Sequence, residues 1–486
     1  MNLTAEKVES GAGKSEIMLV LSPGLSLFSA LPDSPVRGEL RVLTPNAAER
    51  LFVVAGSTLL EVFSDGTSVA RGAVANDGGP VSLANSNIQV MIASGGQGYC
   101  YTLATNVLSA AVAQIAGVVQ VGYTDGYFVA LIGVTAQMYL SGLLDGNTWS
   151  GAQTAIVSVF PDNVVSMLVD HREICLLGTK QSQCYYDSGN TFPYDVIPGG
   201  FAEQGSAATF GAIKADNTVL WIGQDERGNA VAWRAEGYTP KRISTHAIES
   251  AWQDYSTVAD VEAYSCQLKG HTFVVWYFPT VSKTWAYDIS TGLWAEWGFW
   301  DVSHGVYTAH RSRCHAFAFN KHLVGDWASG NIYQMSFEQP DGAGGWLFCD
   351  DFGNPKRWAR RSPYVGVAGV WNYFSAIEFM LRVGIGPSTP LLDGAGVARA
   401  PQATLQWSND AANTWMGNRM VSIGQIGKYM TRAIVRRLGR CWGSFGRVFE
   451  LSGSDPVPIA IIDADLTAEP QMKPQKRLAA ELRERA

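Results

Sequence analysis

Charge is scarce in this sequence. Asp, Glu, Lys and Arg make up 16% of the 486 residues, and the formal net charge is −7. A protein that grips duplex DNA over a wide surface neutralises phosphates and is usually basic. A general DNA clamp is therefore disfavoured, although a passage through which DNA slides is not. Metal-ligand spacing is missing too. The seven cysteines are odd in number and none stands in a CxxC pair, which reads as reduced thiols made in a reducing compartment. His304, His310, His315 and His322 crowd beside Cys314, at spacings that fit no zinc pattern. Long apolar runs are absent as well. The most apolar stretch, 107–121, is broken by Ser109, Gln114 and Gln120 and is too short to span a bilayer. Residues 1–20 lack the basic start and apolar core of a signal peptide. No membrane anchor is expected.

What is abundant is aromatic residues and glycine: 16 Trp, 18 Tyr, 20 Phe and 51 Gly. That mixture suits many short strands joined by tight turns. Residues 215–237 show the unit. A polar turn at Asp216-Asn217 opens it, an apolar run 218–222 follows, then a second turn and a second run, 230–233. Two such runs split by Gly, Asp and Asn make a β-hairpin. The layout returns at 46–63, 87–103, 125–140, 171–186, 271–287 and 321–335. The first runs start near Leu51, Ile88, Tyr127, Glu173, Thr218, Thr272 and His322, with gaps of 37, 39, 46, 45, 54 and 50 residues. A single hairpin cannot bury its apolar face in water, so the copies must stack. A period of about 40–50 residues with several strands per unit is a propeller signature. Seven blades are expected from the count; six remain possible if the first copy is a separate element.

The expected organisation is an N-terminal segment 1–45, a β-propeller 46–338, a C-terminal β-sandwich-like domain 339–468 and a charged tail 469–486. Residues 16–21 read as a strand, and a strand from the N-terminal segment is expected to complete the last blade. Residues 339–345 (QPDGAGG) read as a linker. Beyond it, Ile377, Phe379, Leu381 and Val383 alternate to one face, and 404–407, 433–438, 449–451 and 458–462 read as further strands. The tail, 471–486, reads as frayed or ordered only by a partner.

Motifs for chemistry are weak. Gly11 to Ser15 resemble the end of a phosphate-binding loop, but Val8 holds the place of its first glycine. Trp442 likewise spoils a nucleophile elbow at Ser444. Residues 408–415 (SNDAANTW) resemble a sialidase-type Asp-box with Ala412 in place of glycine, a turn-forming motif without catalysis. Charges at 170–173 and 225–227 lie on turns. A ring of blades can bring two carboxylates face to face for glycoside hydrolysis, but solvated turn charges account for them more simply. No cofactor motif is present. Two basic clusters stand out: Lys356, Arg357, Arg360 and Arg361 around Trp358, and Arg432, Arg436, Arg437, Arg440 and Arg447. Lys356, Arg357, Arg360, Arg361, Arg436 and Arg437 are the candidates for contact with DNA or with acidic faces of neighbouring subunits. No catalytic or metal-binding residue is proposed.

Longer strings carry more information. PGLSLFSALPDSPVRGEL (23–40), TDGYFVALIG (124–133), LVDHREICLLGT (168–179), residues 216–249, KTWAYDISTGLWAEW (283–297), LQWSNDAANTW (405–415) and SDPVPIAI (454–461) resemble the packaged-DNA stabilisation proteins, the tail nozzle or tail-hub components of short-tailed phages. The resemblance runs through nearly the whole chain except the tail. It implies a β-propeller with extra β-domains and a homo-hexameric ring below the portal and adaptor rings. Such a ring extends the DNA channel, retains the packaged genome and holds the tail needle and tailspikes or fibres. It also implies a place in the virion tail, synthesis in the host cytoplasm, and no catalytic residues. Two other readings stand beside it: a propeller glycosidase acting on cell-surface polysaccharide, and a WD-like cellular scaffold.

Overall fold

The computed structural model describes all residues except 9–14, 47, 134, 136, 157–161, 191, 226–227, 341–345, 348–349, 383, 386–388, 425–426, 444 and 472–486. The glycines of the phosphate-loop match, the linker core, Glu226, Arg227, Val383, Ser444, Cys349 and nearly all of the charged tail therefore lie outside the described residues. The chain divides into two compact units, Leu25–Met335 and Met1–Gly24 with Ser336–Ala486.

The first unit contains seven antiparallel sheets of four or more strands. Each of the seven repeats supplies the second and third strands of one sheet, for example Glu49–Ala55 with Thr58–Val62 and Lys321–Asp326 with Asn331–Ser336. Their first strands are Val36–Leu43, Ser82–Asn85, Val118–Thr124, Val164–Asp170, Ala212–Ala215, Glu262–Leu268 and Ser312–Ala318. Each first strand touches the next, and the last touches the first. The sheets thus close into a seven-bladed propeller.

The apolar runs are continuous because the inner strands are covered on both faces. Along the Glu49–Ala55 strand, Leu51, Val53 and Ala55 pack with Leu323 and Ile332 of blade seven, while Phe52 and Val54 pack with Val90, Ile92 and Tyr101 of blade two. Alternation survives, but it divides residues between two cores rather than between core and water. Truncating Phe52 to Ala removes an aromatic ring shared with blade two, a change of about 3–5 kcal/mol in packed cores. The turns between first and second strands repeat as well. Asp125-Gly126, His171-Arg172, Asp216-Asn217, Lys269-Gly270 and Phe319-Asn320 all hold φ between 47° and 90° at both positions, as two-residue I′ hairpins require.

The ring closes with Gly24–Ala30, which is the neighbour of Asn331–Ser336 in blade seven. Leu31 N–H donates to Gly330 O at 2.8 Å beside it. The closing strand comes from the N-terminal segment but is not 16–21. Those residues, as Ile17–Leu21, pair with Leu3–Lys7 in the other unit.

That second unit is a two-sheet sandwich. One sheet runs Leu3–Lys7, Ile17–Leu21, Ala460–Gln471, Trp371–Leu381, Ala433–Trp442; the other runs Trp358–Arg361, Val448–Gly453, Gln402–Ser408, Met416–Ser422. Phe374, Ile377 and Phe379 face Leu405, Phe449 and Leu451 across its core.

Candidate functional site

Charged side chains reach the propeller axis because the first strands are innermost. A central cavity of about 400 Å³ is lined there by Arg37, Glu39, Gln120, Glu262, Arg313 and His315, among others. Most of these groups are spent on the protein itself. Arg313 donates to both oxygens of Glu262 at 2.6 and 2.8 Å; burial still raises the Glu262 acid, with Arg313 opposing. Arg37 donates to Asp77, to Ser94 Oγ and to the carbonyls of Gly56, Ala75 and Gly79. The Gln120 amide donates to Thr209 O at 2.8 Å and accepts from Met167 N–H at 2.6 Å, stitching neighbouring blades.

Glu39 is the exception. It lines the cavity, but both carboxylate oxygens are shut off from solvent and neither receives a hydrogen bond of normal geometry. Burial pushes this acid up to about 8, and the nearby Cys314 thiol and the Gly325 and Ala316 amides oppose the rise only in part. An isolated buried carboxylate is expensive to ionise, so the neutral acid predominates at pH 7.

The histidines do not converge. His315 and His322 face one another at 3.1 Å, and burial, then the second imidazole, drives His315 down to about 3. His304 pairs with Asp301, and His310 with Ser312. Among the described residues no group of three or more His, Cys, Asp or Glu is placed to hold a metal ion. One cysteine expectation is corrected: Cys175 and Cys184 form a disulfide. They lie directly opposite across a hairpin, Cys175↔Cys184, a register that residue spacing alone does not show. Cys100, Cys266, Cys314 and Cys441 are free.

The carboxylates on turns are also engaged. Asp170 is held by Lys214 and by His171, and Glu173 accepts from Tyr238 OH at 2.8 and 3.0 Å. In the Asp-box stretch, Asp410 accepts from Ser408 Oγ and from Thr414 N–H and Oγ, which holds its carboxyl down at about 2. Ala411 and Ala412 take left-handed φ of 62° and 68° in the same turn. The motif fixes a turn between Gln402–Ser408 and Met416–Ser422.

The first basic cluster does not form a cationic surface. Lys356 is 1% exposed, and its ammonium donates to Pro23 O. Arg361 pairs with Glu450 at 2.6 Å and lies over the Trp415 ring. The Arg357 carbonyl accepts from Asn2; Arg360 and Arg361 are both exposed, and of these two Arg361 has its charge paired with Glu450. Four basic residues around one Trp look like a patch in the sequence; strand alternation turns them to different sides. In the second cluster, Arg447 is buried, donating to Asn409 and to the Leu438 and Arg440 carbonyls, and Arg432 pairs with Glu378. Arg436, Arg437 and Arg440 remain exposed on the Ala433–Trp442 strand.

Fold and surfaces together define a seven-bladed β-propeller protein bearing a β-sandwich, with its axial polar groups tied to one another. The chain belongs to the family described as Bacteriophage P22 Gp10, a phage structural family. The model of its beta-propeller matches residues 1–339, and that of its beta-sandwich matches residues 357–469. The propeller span of that family includes residues 1–24, which this structure groups with the sandwich. No curated protein matches the chain. Among solved structures, the extracellular domain of the one component system BT4673 from B. thetaiotaomicron aligns over 86% of this chain, at 8% identity and TM-score 0.43. The alignment covers 48% of that chain, so the present chain spans about half its length. YCF48 from Cyanidioschyzon merolae aligns over 64% of this chain and 99% of its own, at 11% identity and TM-score 0.42. BamB from Moraxella catarrhalis aligns over 69% and 97%, at 10% identity and TM-score 0.39.

Proposed function

We propose that this protein is a non-enzymatic tail nozzle or hub component made in the host cytoplasm. Six copies form a ring below the portal and adaptor, extend the DNA channel, retain the packaged genome and anchor needle, spikes or fibres. The observation that carries this reading is the family match over both units, 1–339 and 357–469. The site chemistry is consistent with it. The carboxylates weighed for glycoside hydrolysis at 170 and 173 are occupied by Lys214, His171 and Tyr238. The acidic balance, −7, favours a lumen that lets DNA leave. Retention then rests on a physical gate and bound neighbours rather than on affinity.

Genome retention in particles assembled without the protein is the test. Such particles are expected to lose DNA and to regain stable filling when purified protein is added. Full, infectious particles lacking the protein would refute the proposal. Cleavage of host polysaccharide by the purified chain would favour the glycosidase reading instead.

A further inference from the structure

The sandwich sheet has two unlike edges. Ile17–Leu21 pairs with Ala460–Gln471 only at Ala460 and Ile461. Beyond Ile461 that strand has Trp371–Leu381 on one side and no described strand on the other. Over this half the sheet is three strands wide, and both outer strands are edges. One edge is acidic: Asp463, Asp465 and Glu469 face outward, opposite Met380, Glu378 and Tyr373. The other is basic: Arg436 and Arg440 stand on the same face, opposite Ala376 and Tyr373. Arg437 sits at φ 62°, in a bulge that completes the arginine edge.

The two columns are two strand spacings apart, about 9.6 Å, with Tyr373 and Ala376 between them. Arg436, Arg437, Asp463 and Glu469 take part in no ion pair among the described residues. Charges on sheet edges commonly serve to block pairing, and one sign is enough for that purpose. Opposite signs on opposite edges instead make a surface complementary to its own copy, head to tail. The face between them has interface composition: Trp371 meets Trp442 at 5.6 Å, and Arg440 lies over Trp371 at 4.9 Å. The arginine edge is capped along its backbone, since Arg447 takes the Leu438 and Arg440 carbonyls. The contact is therefore made by side chains rather than by extending the sheet.

We infer that copies of this chain join through the sandwich, the Arg436, Arg437 and Arg440 edge of one docking on the Asp463, Asp465 and Glu469 edge of the next. The inference deepens the ring reading and rests on it only for closure, because a head-to-tail contact also builds open chains.

The test uses the full chain, wild type and two double variants, Arg436→Glu/Arg437→Glu and Asp463→Arg/Glu469→Arg, with mass measured by light scattering over a concentration series at low and physiological salt. Wild type is expected to associate, and less so as salt rises. Each variant alone faces like charge with like and should associate at least about tenfold more weakly. Mixed together the variants complement at every contact, so alternating assemblies of wild-type mass should return; that recovery also shows both variants are folded. A monomeric wild type, variants that assemble like wild type, or a mixture that fails to assemble would each overturn the inference. The tail reading fails separately. Restored mixed assembly with full particles lacking the protein would refute the function and leave the contact standing. Loss of DNA from those particles with unaffected variants would do the reverse.

Discussion

Replacing Glu39 with Gln isolates the cost of one buried acid at the propeller axis. The carboxyl has an ordinary value of 4.5 and is pushed up to about 8 in the folded chain. Between those values the folded state holds a proton that the unfolded state has released, so stability falls as pH rises. Below 4.5 both states are protonated and nothing is lost; above about 8 both are ionised and the loss is complete. Each pH unit in the window is worth about 1.4 kcal/mol, so the penalty is about 3 kcal/mol at pH 7 and about 5 kcal/mol beyond pH 8. Gln carries no titrating proton and escapes the pH-dependent part, whatever constant offset its amide introduces. Calorimetric melting of the full chain at pH 5, 7 and 8.5 provides the readout. The variant should gain on wild type as pH rises, by roughly 5 °C between pH 5 and pH 7 at the usual conversion for a unit this large. Parallel melting curves for the two proteins across that range would refute the reasoning, since every other titrating group is shared.

Arg313→Ala should destabilise the propeller by about 3–5 kcal/mol by stranding Glu262, and Arg313→Met with Glu262→Leu should recover most of it in denaturant melts. Deleting residues 1–22 should leave hydrogen exchange in Asn331–Ser336 unchanged, whereas deleting 1–30 removes the closing strand and should raise it sharply. Reducing Cys175–Cys184, a loop with a sequence separation of 9, should lower stability by about 2.6 kcal/mol on the chain-entropy account, read as a fall in Tm. Duplex DNA should bind the isolated protein weakly and lose affinity steeply with salt, followed by fluorescence anisotropy; tight binding at physiological salt would contradict the acidic-lumen argument.

The propeller was legible because its signal is local and repeated. Val, Ile and Trp runs split by Gly, Asp or Asn mark two strands per blade wherever they occur, and Asp216-Asn217 marks the turn that precedes them. The outer strands are less regular because they meet solvent on one side. The identity of the closing strand was not legible. Residues 16–21 and Gly24–Ala30 are both short apolar runs, and which of them joins blade seven depends on a partner some 300 residues away in sequence. The disulfide was hidden for a similar reason: a separation of nine becomes a bridge only when the hairpin register sets the two cysteines opposite. The basic cluster at 356–361 misled because charge in a sequence carries no direction. Lys356 and Arg361 point to a carbonyl and a carboxylate of the protein itself, while Arg436, Arg437 and Arg440 stand exposed together on one strand.

A conduit for duplex DNA cannot be the axis of this propeller. The cavity there, about 400 Å³, corresponds to a cube about 7 Å on a side, and the major groove of duplex DNA alone is about 12 Å wide. Widening the axis would mean breaking Arg313–Glu262 and the Gln120 bridge to Thr209 and Met167, bonds that hold neighbouring blades together. If the chain forms part of a DNA channel, the channel must lie between copies, and its diameter is then set by how many copies join and at what angle. That places the functional weight on contacts between chains rather than on any pocket within one. Under that condition the composition met at the start has a use: copies with a net charge of −7 would hold passing phosphates only weakly, so the charge balance that disfavours a DNA clamp would also favour release.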